Sequence, residues 1–201
     1  MDYYGVAFTE AVKKEQKDRG SLGTFDTARD RLNSLGENEL AFIAARDSFY
    51  MATVGENGWP YLQHRGGPQG FIRVADETTL AIADFRGNRQ YISLGHLASD
   101  DRVALFMMDY TNRARLKLYA HACAVAVEDA LDLAALVETP GYRGKIEHIL
   151  TFKIAGYDWN CPQHIAERYT LADIKTATQN YRGRIAQLEA EVAALQKKQG
   201  D

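Results

Sequence analysis

The sequence predicts a mainly β domain, a barrel or a sandwich, with flanking helices and one long helix at the C-terminus. Short segments that alternate apolar and polar residues recur between Ser48 and Tyr157, and turns separate them, as in antiparallel all-β folds. Glu56-Asn57-Gly58 is a typical hairpin turn between two of these segments. After Leu171 the apolar residues recur in alternating steps of three and four, which indicates a helix.

Two segments before the strands have a helical character. Residues 1–20 are charged and weakly periodic, which favours a short helix. In residues 37–46, Leu40, Ile43 and Ala44 fall on one helical face, so a helix that packs against the strands is expected there. We therefore assign residues 1–36 to an N-terminal extension and begin the β domain at residue 37.

The predicted strands follow one another in antiparallel order. They cover residues 48–54, 59–65, 71–75, 79–83, 102–110, 115–127 and 146–157. The segment from Arg102 to Tyr110 is almost continuously apolar, as in a strand that is buried on both faces. One face of the next strand is polar at its beginning, with Arg115, Lys117, Tyr119 and His121. Short helices are expected near residues 90–97 and 130–137.

The C-terminal segment has a heptad pattern, interrupted only by a threonine. Its members are Leu171, Ile174, Thr178, Tyr181, Ile185, Leu188, Val192 and Leu195. A helix over residues 171–197 is therefore expected, and the β domain is assigned to residues 37–170 and the helix to residues 171–201. The helix either packs on its own domain or pairs with a second copy, and we favour the second arrangement.

Charge and composition exclude several classes of partner. A net charge of -3 and a pI near 6.0 argue against nucleic acid or an anionic membrane as the main partner, because both require a basic surface. No apolar run approaches the roughly 20 residues that cross a bilayer, and the N-terminal residues lack an apolar export segment. We expect a cytoplasmic protein whose two cysteines, Cys123 and Cys161, are free thiols.

Several well-known catalytic and binding motifs are absent. The stretch GGPQG lacks the Gly-Lys-Ser/Thr ending of a phosphate-binding P-loop, and no G-x-G-x-x-G follows a strand. The five histidines do not have the spacing of a metal site, so no metal is expected. Ser48 and Ser93 have no nucleophile-elbow context.

Three polar clusters remain, and they lie in different parts of the predicted barrel. They are Gln63-His64-Arg65 with the glycines that follow, Asp84 to Gln90, and Arg115 with Lys117. Glycine lets a ligand approach the backbone, and arginine can neutralise a phosphate. Together the clusters suit a flat, phosphorylated cofactor. Each cluster alone is better explained by turn glycines and surface arginines.

Four stretches resemble a known family when they are taken in order. They are SFYMATVGENGWPYLQHRGGPQGF, ADFRGNRQYISLG, DRVALFMMDYTNRARLKL and DWNCPQHI. They are similar to the pyridoxamine 5′-phosphate oxidase-like family of FMN-binding split-barrel proteins, from about Ala41 to Tyr169. QHRGGPQGF and WNCPQHI are typical of one branch of that family.

The resemblance implies a six-stranded Greek-key split barrel with flanking helices, which forms a homodimer with FMN at the subunit interface. It places Gln63, His64, Arg65 and Gly66 on the strand under the flavin ring. It places Asp84, Phe85, Asn88, Arg89 and Gln90 around the ribityl chain and the phosphate, with Arg89 and Gln90 as the main phosphate contacts. It adds Arg115 on a neighbouring strand and Trp159, Asn160 and Gln163 from a later segment.

One departure from the family pattern concerns the substrate. The pyridoxamine phosphate oxidases carry Arg-x-Val-Leu-Leu-Lys on the second strand, where this sequence reads Gln63-His64-Arg65-Gly66-Gly67-Pro68. Because the lysine is missing, oxidation of vitamin B6 is not expected.

The main hypothesis is an FMN-dependent oxidoreductase that transfers hydride or electrons to an unidentified small molecule. In this hypothesis Arg65 or Arg115 supplies a cation near the N1 and O2 edge of the flavin, and no catalytic base is assigned. The alternative is a non-catalytic flavin- or haem-binding carrier or sensor, in which His64, His121 or His164 could bind a haem iron. A third hypothesis is an assembly protein whose C-terminal helix recruits a partner.

Overall fold

A computed structural model describes residues 3–23, 34–159 and 162–199. The helices are α1 (Tyr3–Ala7), α2 (Glu10–Asp18), α3 (Glu37–Ala44), α4 (Ile92–Leu97), α5 (Leu131–Val137) and α6 (Leu171–Gln199). The strands are β1 (Ser48–Val54), β2 (Pro60–Gly66), β3 (Arg73–Asp76), β4 (Thr79–Phe85), β5 (Arg102–Asp109), β6 (Ala114–Ala126) and β7 (Ile146–Trp159).

All seven strands belong to one antiparallel sheet in the order β2-β1-β5-β6-β7-β4-β3. The predicted class, mainly β with flanking helices and a long C-terminal helix, is confirmed. The sheet has seven strands rather than the six that the resemblance implied, because the short β3 pairs with β4 at one edge.

The sheet curves until its two halves share one core. Phe49 on β1 meets Phe152 on β7 edge to face, with ring centroids 6.1 Å apart, although two strands separate β1 from β7 in the sheet. A register shift between Tyr119 and Ala120 on β6 increases the local bend, as β-bulges do. The largest fully buried side chains are Phe49, Phe152, Ile43, Met51, Leu80, Ile82, Leu105, Met107, Leu116, Leu118, Ile149 and Leu150.

Helix α1 belongs to the same packed unit as the sheet. Tyr3 is buried, its ring lies 5.7 Å from that of Tyr119, and Lys117 Nζ donates a 2.8 Å hydrogen bond to its hydroxyl. Gly156 on β7 allows this approach, since a Cβ there would lie 2.3 Å from the backbone nitrogen of Tyr3. Burial alone would lower the pKa of Lys117, but hydrogen bonds with Tyr3 and Asp158 outweigh it and raise the pKa.

Helix α6 begins at a capping box and then leaves the sheet. The backbone nitrogen of Thr170 donates to Asp173 Oδ2 (2.8 Å), and that of Asp173 donates to Thr170 Oγ1 (3.1 Å). Thr111 in the β5–β6 turn fixes this start, because its hydroxyl donates to the carbonyl of Arg168 (3.0 Å). Within α6, only Asp173 and Thr178 are partly buried among residues 171–196, and the apolar seam is exposed.

Two sequence expectations concern the chain as a whole. Among the described helices, none has an apolar stretch of the length and hydropathy that a bilayer requires. Cys123 is an exposed free thiol, and Cys161 lies outside the described residues.

Candidate functional site

A polar cleft lies between β2, the end of β4 and the segment that leads into α4. We refer to it as the polar cleft, and its volume is about 60 Å³. It is lined by Tyr61, Gln63, Arg65, Asp84, Phe85, Gly87, Asn88, Arg89, Gln90, Tyr91, Ile92, Ser93, Leu94 and Glu147. Seven of the residues expected from the sequence meet here: Gln63, Arg65, Asp84, Phe85, Asn88, Arg89 and Gln90.

The alternation of β2 decides which of its side chains enter the polar cleft. Tyr61, Gln63 and Arg65 are partly buried, whereas the residues between them are exposed on the opposite face. Gln63 Oε1 accepts a 2.9 Å hydrogen bond from the hydroxyl of Ser93, which is buried on α4. This bond ties β2 to α4 across the floor of the cleft.

Arg65 and Asp84 form an ion pair in the wall of the polar cleft. Their side chains are only 15% and 10% exposed, so both charges have lost most of their hydration. Asp84 lies near the end of β4, where the register shifts between Asp84 and Phe85. Arg65 Nε is buried and has no hydrogen-bond partner among the described residues. The position of Arg65 therefore depends mainly on Asp84.

The segment from Arg86 to Tyr91 is held to β7 by one carboxylate. Arg86 Nε donates to Glu147 Oε1 (2.6 Å), and the hydroxyl of Tyr91 donates to Glu147 Oε2 (3.2 Å). The hydrogen bond from Arg86 lowers the pKa of Glu147, despite an opposing contribution from desolvation. Glu147 is therefore an anion at neutral pH, and its charge is paired outside the cleft.

Arg89 occupies an unusual backbone conformation at the tip of this segment. Its φ is 62°, and that of Tyr91 is 52°, both in the left-handed region that non-glycine residues seldom adopt. Asn88 stabilises the turn, since its Oδ1 accepts a 3.2 Å hydrogen bond from the backbone nitrogen of Gln90. A hydrogen bond with Tyr91 raises the pKa of Arg89.

The charges that line the polar cleft do not all cancel locally. Asp84 balances Arg65, and Glu147 is balanced by Arg86, which is not a lining residue. Within the described parts of the chain, Arg89 forms no ion pair, since no carboxylate oxygen lies within 4.0 Å of its guanidinium. Arg89 is exposed and can turn toward a ligand. The cleft can therefore accept one anionic group.

His64 and Gly66 lie on the other face of β2. The imidazole of His64 meets the ring of Tyr50 edge to face at 5.6 Å. A Cβ at Gly66 would lie 3.1 Å from Cε1 of His64, so the glycine leaves space for the imidazole. The structure therefore separates these two residues from Gln63 and Arg65.

Arg115 lines a second depression, which we call the apolar groove. It has a volume of about 660 Å³ and is lined by Tyr50, Ala52, Leu62, Ala104, Phe106, Met108, Tyr110, Arg115, His164, Ile165, Ala166 and Arg168. The guanidinium of Arg115 lies 5.9 Å from the centroid of Phe106. No ion pair of Arg115 occurs among the described residues.

Trp159 and Gln163 do not reach the polar cleft within one chain. Trp159 Nε1 donates a 2.6 Å hydrogen bond to Glu39 on α3, and its ring packs against Phe42. Gln163 is exposed, and Asn160 lies outside the described residues. Trp159 therefore packs at the end of the sheet near α3.

The glycines after β2 are explained by packing. The backbone nitrogen of Gly67 donates to the carbonyl of Asp47 (2.9 Å), and a Cβ on Gly67 would lie 2.8 Å from Cβ of Phe71. Gly70 has a φ of 77°, and its nitrogen donates to the carbonyl of Arg46 (3.0 Å). These glycines hold the β2–β3 connection against the residues between α3 and β1.

Sequence reasoning did not identify Glu147 or Tyr91 as parts of the site. Glu147 reaches the polar cleft because β7 pairs with β4 in a register that sets Phe85 opposite Ile146. One sequence contains no signal for the pairing of strands about 60 residues apart. Among the described residues there is no cluster of three or more histidine, cysteine or carboxylate side chains that could hold a metal ion.

Comparison with known proteins identifies a matching family. The family described as pyridoxamine 5′-phosphate oxidase matches residues 35–144, which is more than half of the chain. No curated protein matches the sequence.

Several solved structures have a similar fold at low sequence identity. HupZ from Group A Streptococcus is 14% identical and has a TM-score of 0.49, with 67% of this chain and 100% of that chain covered. An FMN-binding protein from Syntrophomonas wolfei is 16% identical, with a TM-score of 0.47 and coverage of 76% and 96%. A Clostridium acetobutylicum protein related to general stress protein 26, of the pyridoxinephosphate oxidase family, is 14% identical, with a TM-score of 0.47 and coverage of 68% and 94%.

Proposed function

The chain belongs to the pyridoxamine 5′-phosphate oxidase family, and on that premise we propose that it is an FMN-binding flavoprotein that acts as an FMN-dependent oxidoreductase on a small molecule. The observation that carries the proposal is the charge of Arg89, which forms no ion pair among the described residues, in a cleft whose other charges are paired. A phosphate is the group that such a site suits best, because a guanidinium can contact two of its oxygens.

The donors around Arg89 fit the phosphate end of FMN. Arg89, Gln90 and Asn88 are exposed at the mouth of the polar cleft, so they can bind a phosphate without breaking a buried contact. Ser93 is buried and already donates to Gln63, so we assign it to the floor of the site rather than to the phosphate. Arg65 is held by Asp84 and shapes the wall.

The size of the polar cleft indicates how much of the cofactor one chain could enclose. Its 60 Å³ suits a phosphate-sized group, whereas pockets that enclose a drug-sized ligand measure roughly 300–1,000 Å³. The flavin ring would therefore lie outside the cleft, along β2. We propose that a second subunit covers it, in a homodimer with FMN at the interface.

An exposed apolar surface beside β2 supports this dimer. Leu62 on β2 is 62% exposed, and Tyr50 on β1 is partly exposed next to it. Both line the apolar groove, and contiguous exposed apolar surface is typical of an interaction site. Burial of this groove against a second copy would remove apolar surface from water and stabilise the dimer.

Bound FMN would supply the hydride and electron transfer, and the chain would supply orientation and electrostatics. Asp84 compensates the charge of Arg65, so the electrostatic field of Arg65 at the flavin ring would be weak. Arg115 has no such partner among the described residues, so we assign to it the cation that stabilises the reduced flavin, acting through the subunit interface. We do not propose pyridoxamine phosphate as the substrate, since Pro68 stands where the family pattern has its lysine.

The test begins with the absorption spectrum of the purified protein and mass identification of what it carries. Flavin bands, or their appearance after FMN is added and excess removed, are expected. Arg89→Ala should weaken FMN binding roughly tenfold or more, as loss of a hydrogen bond to a charged group does. Arg19→Ala, at the exposed C-cap of α2, should leave the affinity unchanged.

Two outcomes would contradict the proposal in different ways. A protein that stays colourless with added FMN does not bind the cofactor, and a haem spectrum would support the alternative carrier. Bleaching of bound FMN by NADH or NADPH, followed by reoxidation with an electron acceptor, is expected of an enzyme. Absence of any reduction would instead favour a non-catalytic flavin binder.

A further inference from the structure

The apolar seam of α6 is exposed along the whole helix. Leu171 is 77% exposed and Tyr181 is 72% exposed, and the seam residues between and beyond them are also open to solvent apart from Thr178. The 29 residues of α6 correspond to a length of about 43 Å. In proteins most of the stability of a helix comes from packing of its apolar face. The exposed seam therefore indicates a partner.

We propose that α6 pairs in parallel and in register with α6 of a second copy of this chain, forming a two-stranded coiled coil. The seam provides four a positions and four d positions of a heptad repeat. The a positions are Leu171, Thr178, Ile185 and Val192, and the d positions are Ile174, Tyr181, Leu188 and Leu195. In the C-terminal half, β-branched residues at a alternate with leucine at d, which favours parallel dimers.

The charges that flank the seam favour the same arrangement. In a parallel pair, a g residue faces the e residue five positions later on the partner. Arg184 is at g and Glu189 at e, so the pairing places opposite charges together twice per dimer. The other two contacts of this kind join Ala177 with Arg182 and Glu191 with Gln196, and neither sets like charges together.

The polar seam residue Thr178 is compatible with burial. Its hydroxyl donates a 2.7 Å hydrogen bond to the carbonyl of Ile174 within the helix, so pairing would not leave it without a partner. Gly183 is at an f position, on the side of the helix opposite the seam, and a Cβ there would meet open space. Neither residue obstructs the contact between two helices.

The coiled coil is separate from the proposed flavin site. The seam lies on α6, and no residue of α6 lines the polar cleft. Failure of the coiled coil would therefore leave the phosphate contacts of the polar cleft intact, and failure to bind FMN would leave the coiled coil intact. Measuring FMN absorbance on every variant distinguishes the two.

Cysteine cross-linking of the full chain tests both the partner and the orientation. In a background with Cys123→Ser and Cys161→Ser, Leu188→Cys and Leu195→Cys are made separately and oxidised at low protein concentration. A parallel, in-register pair sets each d position opposite itself, so both variants should give a covalent dimer as the main product. An antiparallel pair could set at most one of the two positions opposite itself.

The matched control is Ala190→Cys, which is on the same helix at an f position. It should remain monomeric on non-reducing gels, since its thiols would face away from each other. Absence of a covalent dimer with Leu188→Cys and Leu195→Cys would overturn the proposal. The partner of the seam would then be a different protein. Equal cross-linking of Ala190→Cys would also overturn it, because random collision would then explain the product. Cross-linking at only one of positions 188 and 195 would refute the parallel register.

Discussion

Replacement of Arg65 by methionine should destabilise the fold strongly, although Arg65 borders a cleft. The substitution keeps the length of the apolar stem and removes the only ion-pair partner of Asp84 among the described residues. The Asp84 side chain is 10% exposed, so it would lose its counter-charge at a position with little access to water. Loss of one partner of a buried pair costs roughly 3–5 kcal/mol, and partial exposure suggests the lower end, about 3 kcal/mol.

A double-mutant cycle separates the pair from other effects of each residue. Asp84→Asn keeps the shape of the side chain and should cost about 2 kcal/mol, since Arg65 loses its counter-charge. The double variant should cost about 2 kcal/mol rather than the sum, because neither charge remains unpaired. The expected coupling is therefore about 3 kcal/mol.

The assay is urea unfolding at one fixed protein concentration, followed by tryptophan fluorescence and circular dichroism. An unchanged m-value would show that the variants differ in stability rather than in compactness. The matched control is Arg102→Met, which breaks an exposed pair with Asp100 and should produce little change. A coupling below about 0.5 kcal/mol would refute the reasoning, since it would mean that water screens the Arg65–Asp84 pair.

Two further predictions concern the polar cleft and α6. The hydrogen bond from Arg86 holds the pKa of Glu147 below its ordinary value of 4.5, so the tie between β7 and the 86–91 segment is present above that value and is lost as pH falls through the lowered pKa. FMN affinity, measured by fluorescence quenching, should fall in that acidic range. Glu147→Gln should bind FMN more weakly at neutral pH, and its affinity should depend less on pH in the acidic range. If the pH dependence of Glu147→Gln matches that of the unsubstituted protein, the role of Glu147 is contradicted. Gly183→Ala should stabilise α6 by about 1 kcal/mol, because alanine favours a helix interior. Thermal unfolding followed by circular dichroism at 222 nm would measure this gain. The control is Gly58→Ala, which should destabilise the protein because Gly58 has a φ of 82°.

The strands and long helices could be predicted because their signals are local. Alternation and one continuous apolar run identified β1 to β7 within about two residues, and the heptad seam identified α6. The meeting of Gln63 and Arg65 with the 84–90 segment was implied by family resemblance rather than by spacing. The locations of His64 and Arg115 depend on which face of a strand meets which neighbour, and the contact between Trp159 and Glu39 spans 120 residues. Such contacts depend on register and packing, which a single sequence does not encode in any local pattern.

Strand β7 restricts where the chain can accept an insertion. Along its 14 residues it holds Glu147 at the polar cleft, Gly156 beneath Tyr3 and Trp159 against Glu39. A slip of one residue would reverse the face of every side chain, so these three contacts would be lost together. A tag, a loop graft or an affinity label is therefore better placed in the exposed β1–β2 turn at Glu56 and Asn57 than near either end of β7.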